Sequence, residues 1–277
     1  MSANESGNES RSSTEMSGPT QKILPVCEKL LSESAKTVSK EFVFDVYDQI
    51  APHFSHTRYA TYSIVYIYSI LRYKMWPRVA EFVNSLPSGA FFMDAGCGNG
   101  KNLMSASHLV RFGSDRSHPF CEMARTNGKC DAIQADISRD IGKAFRPSIF
   151  DAVIAIAVIH HIPDVVGRLA SLRELYRMLK PNGRALVYVW AMEQKKGTIG
   201  ARTFESQDIY VPWNLQSKYL KPDSGIPEGP IVPLKRYYHV FTEEEFRGLL
   251  EQVPEFRVEG IYYDSNNWGA ELVAIKD

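Results

Sequence analysis

The stretch Ala90-Phe-Phe-Met-Asp-Ala-Gly-Cys-Gly-Asn-Gly-Lys-Asn-Leu103 constrains the fold more than any other part of the chain. Ala90 to Met93 is a short apolar run that reads as a buried strand, and it ends at an acid, Asp94. Gly96, Gly98 and Gly100 then alternate with single residues, and Lys101 to His108 continues as a helix. A strand-to-helix turn takes glycine where the backbone leaves the usual dihedral regions and where a ligand touches the main chain. The helix N-terminus beyond it offers unpaired N–H groups to a polar or anionic group. Asp115 lies 21 residues after Asp94, at the end of an expected second strand, Val110 to Ser114. An acid at that distance, on the tip of the neighbouring strand, is where such sheets bind ribose hydroxyls.

Dinucleotide folds use G-x-G-x-x-G. Here the triplet is G-x-G-x-G, with an acid two residues before its first glycine. That form resembles the S-adenosylmethionine site of the class I methyltransferases, whose loop passes a sulfonium amino acid and not a pyrophosphate. A glycine-rich turn alone is most often only a turn. The strand, the two acids and the helix together carry the reading.

At 277 residues the chain suits one α/β domain plus a tail. Its formal net charge is zero, so bulk electrostatics give no pull toward nucleic acid, and only a local patch would supply one. Cys27, Cys97, Cys121 and Cys130 form no C-x-x-C pair and no zinc spacing; reduced thiols packed in an intracellular protein account for all of them. No basic-then-apolar segment opens the chain, so the expectation is a soluble cytoplasmic protein, with the nucleus as a second compartment.

Residues 1–40 read as a tail. Residues 1–22 are serine-rich, without aromatics, and cannot bury enough apolar area to offset their ordering entropy; residues 23–40 include a short helix. The domain spans 41–277. Val43, Val46, Tyr47 and Ile50 mark an amphipathic helix expected to end near Ala51-Pro52, followed by a polar and aromatic loop, His53 to Tyr59. Residues 60–73 are β-branched and aromatic, with no Asp, Glu or Gly. They are too short to span a bilayer as a helix and read as a strand or helix packed on the domain, so no membrane association is expected.

Trp76-Pro77 starts a helix, and Pro119 to Thr126 makes another. Ala132 to Ile137 fits a third strand ending in Asp136, an acid that also suits a plain loop cap. Phe150 to His161 is apolar without alternation, which marks a central strand covered on both faces. It delivers His160-His161 to the carboxyl end of the sheet, where open α/β folds bind ligands. No third metal ligand follows at a recognisable spacing, so one structural imidazole and one substrate contact is the reading, and no metal is expected. A helix through Leu169, Leu172, Tyr176 and Leu179 stops at Lys180-Pro-Asn-Gly183, and Arg184 to Trp190 is a fifth strand. Residues 195–234 read as a long loop, either a mobile lid or a substrate platform. A helix capped by Thr242 and Glu245 and a hairpin, Phe256–Tyr262 with Trp268–Lys276, close the chain.

This order is that of the class I methyltransferases: α/β, a Rossmann-like doubly wound sheet of seven strands, the last antiparallel. The likeness narrows with Val46-Tyr-Asp-Gln-Ile-Ala-Pro-His-Phe-Ser-His-Thr-Arg-Tyr59, Asp94-Ala-Gly-Cys-Gly-Asn-Gly-Lys101, Gly113-Ser-Asp-Arg-Ser117, Ile156-Ala-Val-Ile-His-His161, Tyr188-Val-Trp-Ala-Met-Glu-Gln194, Val211-Pro-Trp213, Arg236-Tyr-Tyr-His239 and Asn267-Trp268. Over residues 41–276 the chain resembles the eukaryotic tRNA wobble-uridine carboxymethyl methyltransferases, including the methyltransferase domain of the AlkB-homologue fusion protein. The resemblance implies S-adenosylmethionine as cofactor and tRNA as substrate, with 5-carboxymethyluridine at the wobble position (U34) converted to its methyl ester. It implies a small zinc-binding activator subunit as heterodimer partner. It places Asp94, Gly96, Cys97, Gly98, Gly100, Asp115, Arg116, Asp136, Ile137 and Ala157 at the cofactor. Arg58, His160, Trp190 and His239 fall at the reaction centre, and Trp76, His161, Tyr237 and Asn267 on the side of the substrate base.

A carboxylate nucleophile is ionised at neutral pH and needs no general base, so Arg58 and the histidines would orient it while Trp76 or Trp190 stacks on the base; core packing is the competing role for both tryptophans. Removing residues 60–73 would restore the Thr57-Arg-Tyr-Lys-Met-Trp-Pro run of the resembled family, and Arg72-Tyr73 repeats Arg58-Tyr59. The segment is a lineage-specific elaboration or an in-frame retained intron, and Arg72 rivals Arg58. A variant lacking it is expected to fold and methylate at least as well. Two other functions fit the same fold: a small-molecule methyltransferase and a non-catalytic scaffold.

Overall fold

The computed structural model describes residues 24–25, 35–59, 75–195, 197, 201–216 and 231–276, with backbone alone at 24–25, 56–59, 216 and 231–232. The 60–73 segment, Arg72, Cys27 and nearly all of the tail lie outside the described residues, as does the side chain of Arg58.

Strands β2 (Phe91–Ala95), β3 (Val110–Asp115), β4 (Asp131–Gln134), β5 (Phe150–Ile156), β6 (Leu179–Trp190), β9 (Phe256–Asp264) and β10 (Asn267–Ala274) form one sheet in the order β4-β3-β2-β5-β6-β10-β9. The first five are parallel, and β10 runs antiparallel between β6 and β9. Order reverses between β2 and β3 on one side and β5 on the other, which opens a crevice at the carboxyl ends of those strands. The doubly wound seven-stranded reading holds.

Because side chains alternate along a strand, β5 sends Val153 and Ala155 to one face and Ala152 and Ile154 to the other, all fully buried. Helices α7 (Val165–Met178) and α8 (Glu243–Glu251) cover the first face through Leu172, Leu175 and Phe246. Helices α3 (Pro77–Asn84), α4 (Lys101–Ser105) and α5 (His118–Gly128) cover the second through Phe82, Leu103 and Cys121. Short α6 (Ile141–Ala144) links β4 to β5. Burial of each large apolar side chain contributes about 1.5–3 kcal/mol.

Four expectations need correction. The first concerns the helix expected to end at Pro52. Helix α1 (Ala35–Ser39) passes through a π-helical turn, Lys40–Phe44, into α2 (Asp45–Tyr59), so His53 to Tyr59 is helix and not loop. One N–H is lost at the proline, while Ile50, Ala51, His53 and Ser55 stay buried on the packed side and hold the helix together. Second, the 195–234 segment is only partly loop. Residues 208–216 (β7) and 231–239 (β8) pair antiparallel, and Leu24–Pro25 (β1), expected to be helical, adds to the β7 edge. Third, Lys180 to Gly183 belongs to β6, where a register shift between Phe150 and Ala152 absorbs it. Fourth, α4 stops at Ser105, three residues short of the expected end.

Candidate active site

The turn after β2 is built on the tip of β3. The N–H groups of Gly96 and Cys97 both donate to the Ser114 carbonyl (2.7 and 2.8 Å), and the N–H of Gly98 donates to Asp115 (2.9 Å). Gly96 has φ +86°, and a Cβ there would lie 2.2 Å from Val158 Cγ2. Gly98 has φ +52° with open space where a Cβ would stand, so the main chain is bare on that side. Gly100 caps α4 and packs on Ala124 of α5.

The acids are held differently. Asp94 lies under the turn, fully buried, accepting from Asn102 Nδ2 at 3.1 Å; burial pushes its carboxyl up to about 7. Asp115 faces the crevice, and burial pushes it up to about 6 against the N–H groups of Ser117 and Gly98. Asp136, just after β4, takes Ser138 N and Oγ on one oxygen, while its Oδ2 is buried with no hydrogen-bond donor. Arg116 lies over Phe44 of the π-helical turn, 4.4 Å from its centroid, and so links the N-terminal helices to this side.

One cavity of about 940 Å³ joins these groups to the far end of the crevice. Gly96, Cys97, Gly98, Asp115, Arg116, Asp136, Ile137 and Ala157 line one half. Trp76, His160, His161 and Trp190 line the other, with Tyr47 and Phe54 from α2 and Trp213, Arg236 and Tyr238 from the second sheet as roof. Asp94 and Gly100 lie behind this wall and support it.

Both histidines are neutral. His160 accepts the backbone N–H of Trp190 at Nδ1 (3.1 Å), which puts its ring proton on Nε2; burial, with His161, His239 and Arg236 nearby, holds it well below the usual range. His161 Nδ1 faces the Tyr237 carbonyl (3.1 Å) and must donate, so Nε2 accepts from the Tyr47 hydroxyl (3.1 Å); burial pushes it down to about 3. Tyr47 in turn lies 3.0 Å from the Tyr238 hydroxyl.

Three positions assigned to the reaction centre and the substrate side fall outside the cavity. Tyr237 and His239 sit on the opposite face of β8 from Arg236 and Tyr238, because strand side chains alternate. His239 is buried between Asp208 (Nδ1, 2.9 Å) and Glu245 (Nε2, 2.7 Å), and Tyr237 Oη bonds Asp208. Glu245 accepts the Gln207 amide besides His239, so the Thr242 cap is a simple one, Thr242 Oγ1 accepting Glu245 N–H at 3.1 Å. Asn267 is tied to the Asp264 and Ser265 carbonyls of the β9–β10 turn. The side chains missed from sequence are Arg236 and Tyr238, one step out of register with those chosen, together with Tyr47, Trp213 and Arg202. The Arg236-Tyr-Tyr-His239 motif held the signal, but only a strand parity separates the two pairs.

The cradle fits the methyl donor that the glycine spacing implies. Asp136 Oδ2, beside apolar Ile137 and with Arg139 Nε at 3.8 Å as its ion-pair partner, has no hydrogen-bond donor and suits an adenine amino group, Asp115 is an acceptor for ribose hydroxyls, and bare Gly98 leaves room for an amino-acid chain.

The family described as "Methyltransferase domain" matches residues 93–187. A fission yeast (Schizosaccharomyces pombe) tRNA (carboxymethyluridine(34)-5-O)-methyltransferase is 36% identical over 234 residues, covering 82% of this chain and 94% of that protein. A Xenopus tropicalis protein named tRNA (carboxymethyluridine(34)-5-O)-methyltransferase alkbh8 is 33% identical over 84% of this chain, which spans only 41% of that longer relative. Among solved structures, magnesium protoporphyrin IX methyltransferase of Synechocystis, with S-adenosylmethionine bound, superposes with a TM-score of 0.54 at 15% identity, over 88% of this chain and 98% of that one, a likeness of fold.

Proposed function

The chain belongs to the tRNA (carboxymethyluridine(34)-5-O)-methyltransferase family, and from this we propose that it methylates the carboxylate of 5-carboxymethyluridine at position 34 of tRNA, with S-adenosylmethionine as donor. The observation that carries the reading is the single cavity running from the glycine turn and Asp115 to an aromatic, histidine-lined end under the second sheet.

When bound, the cofactor supplies an electrophilic methyl group on a cationic sulfur. The substrate carboxylate is already ionised, so the residues need not remove a proton. That agrees with a far end where both histidines are neutral and one, His161, has both ring nitrogens engaged. His160 keeps its Nε2–H as a donor. The chain's task is to hold the nucleophile against the cofactor half and keep water out, a proximity and desolvation effect. Trp190, stacked on Tyr238 at 4.3 Å between centroids, gives this end of the cavity an aromatic wall for the uracil to lie against.

The proposal extends to a small zinc-binding activator subunit as partner and to the cytoplasm and nucleus as compartments, supported by the motif resemblance over residues 41–276. Among the described residues no helix is long and apolar enough to cross a membrane. The test is transfer of labelled methyl from S-adenosylmethionine to tRNA carrying 5-carboxymethyluridine, with and without co-expressed activator. A base-labile methyl ester on the wobble uridine is the expected product. Cofactor binding without transfer in both preparations would overturn the reading.

A further inference from the structure

Two guanidiniums project into the substrate half of the cavity, Arg202 and Arg236. Arg236 is 5% exposed, and its Nε is buried without an acceptor. It lies 4.7 Å from the Trp213 ring centroid and 5.3 Å from that of Tyr238, and the groups that favour its charge are the hydroxyls of Tyr238 and Tyr47. Arg202 lies 5.1 Å over Trp190, and its Nη1 is likewise buried without an acceptor. Arg236 is near enough to disfavour its charge. Trp190 stacks on Tyr238, with 21° between ring planes. The five side chains form a ladder in the order Arg202, Trp190, Tyr238, Arg236, Trp213. Among the described residues neither cation has a carboxylate partner.

Such an arrangement is unfavourable by itself. Cations leave water at a high cost, ring faces return only part of it, and two like charges near each other add repulsion. Both side chains line the cavity, and among the described residues no acid pairs with either. A single anion in the cavity would satisfy both, since guanidinium matches carboxylate geometry and binds it by charge-assisted hydrogen bonds.

We propose that Arg202 and Arg236 together form the receptor for the substrate carboxylate, and that this pair selects 5-carboxymethyluridine over neutral 5-substituted uridines. The assignment rests on the function proposed above and names the groups that recognise its nucleophile. The aromatic ladder fixes the guanidiniums, so binding does not require ordering two long side chains. The methyl ester is neutral and gives up the attraction, so the same pair favours product release.

The test uses the full chain and anticodon stem-loop RNAs carrying either 5-carboxymethyluridine or 5-carbamoylmethyluridine, an isostere without the charge. Binding of both RNAs, KM and kcat for the first, and affinity for S-adenosylhomocysteine are measured for the wild type, R202Q, R236Q and R236K. The wild type is expected to prefer the carboxymethyl RNA by about ten- to a hundredfold, the range for loss of a charge-assisted hydrogen bond. R202Q and R236Q should bring that ratio toward one and raise KM more than they lower kcat, with S-adenosylhomocysteine affinity unchanged; R236K should restore part of the preference. A preference retained in R202Q with cofactor-product binding intact would overturn the proposal while leaving the methyltransferase reading standing. R202Q decides the matter even where R236Q fails to fold, because Arg202 is only partly buried and lies outside the strands. A wild type that methylates neither RNA would remove both.

Discussion

Asp115 accepts the backbone N–H of Gly98 at 2.9 Å, which makes the acid at the end of β3 and the glycine turn after β2 one hydrogen-bonded unit. The Ser114 carbonyl completes it by accepting both Gly96 and Cys97. A ligand that touches the turn therefore meets the acid at a fixed distance. The unit also separates the two glycines by what each contributes.

Gly96 and Gly98 both hold positive φ, yet alanine at the two positions should act differently. At Gly98 the added methyl meets nothing within 4 Å, so G98A carries only left-handed strain, about 1–2 kcal/mol, and places a methyl where the cofactor passes. At Gly96 the methyl would overlap Val158. Thermal melting should show the larger loss for G96A. Calorimetry with S-adenosylhomocysteine should show G98A folded but at least tenfold weaker. Equal melting temperatures would show that Val158 yields freely.

Cofactor affinity should depend on pH through Asp115. Burial raises its carboxyl to about 6 in the free protein, while ribose hydroxyls donate best to the ionised form. Binding below about pH 6 must then expel a proton, so affinity falls by up to tenfold per pH unit there and levels off above about pH 7. Titrations at pH 5, 6 and 7.5 in buffers of different ionisation enthalpy would count the proton. In D115N the slope below pH 6 should vanish. Asp94, raised to about 7 but walled off from the cavity, should contribute no comparable slope. A slope that survives in D115N would reassign it to Asp94.

The sheet order and the cofactor half were legible because they rest on local chemistry. Asp94, three glycines and Asp115 form a linear strand-turn-helix pattern, and the apolar run Ala152 to Ile156, too short for a helix and rich in β-branched residues, reads as a central strand. The substrate half depended on features that leave weak local marks. The residues Tyr210-Val-Pro-Trp213 sit among prolines and lysines, and their pairing with Ile231 to His239 is long-range, so the strand looked like loop. Within Arg236-Tyr-Tyr-His239 the choice of inward pair depends on register alone, and a one-residue error exchanged Arg236 and Tyr238 for Tyr237 and His239. Pro52 was read as a helix end because the steric argument is local, whereas the packing that carries α2 past it is tertiary.

His239 should prove structural. Although burial opposes its charge, hydrogen bonds to Asp208 and Glu245 hold its pKa above the usual value. A raised folded-state pKa contributes stability that is complete below the unfolded value of about 6.5 and is lost as pH rises through the folded value. H239Q should therefore be destabilised by about 2 kcal/mol near pH 6, with the gap to the wild type narrowing at alkaline pH. Denaturant midpoints at pH 6 and pH 9 measure it. S-adenosylhomocysteine affinity and KM for the modified RNA should stay unchanged in folded H239Q, which a residue of the reaction centre would not permit.

Tyr47 should matter through His161 and not through the cofactor. Its hydroxyl is the donor that holds His161 Nε2, and it also bonds the Tyr238 hydroxyl and the Arg236 guanidinium. The ring itself is held by edge contacts to Phe54 and a tilted contact to Phe120, which phenylalanine would keep. Y47F thus removes the hydroxyl's bonds to His161, Tyr238 and Arg236 and leaves the packing intact, for a loss of about 1–3 kcal/mol in stability. Without that donor His161 keeps only its Nδ1 bond to the Tyr237 carbonyl, and the Tyr238–Arg236 edge of the cavity loses its brace. The expected signature is a severalfold fall in kcat/KM toward modified RNA at unaltered S-adenosylhomocysteine affinity. The imidazole resonance of His161 should also move, since its Nε2 becomes unpaired. Wild-type kinetics together with a shifted His161 resonance would mean that this chain of hydroxyls orders the cavity wall without reaching the reacting groups.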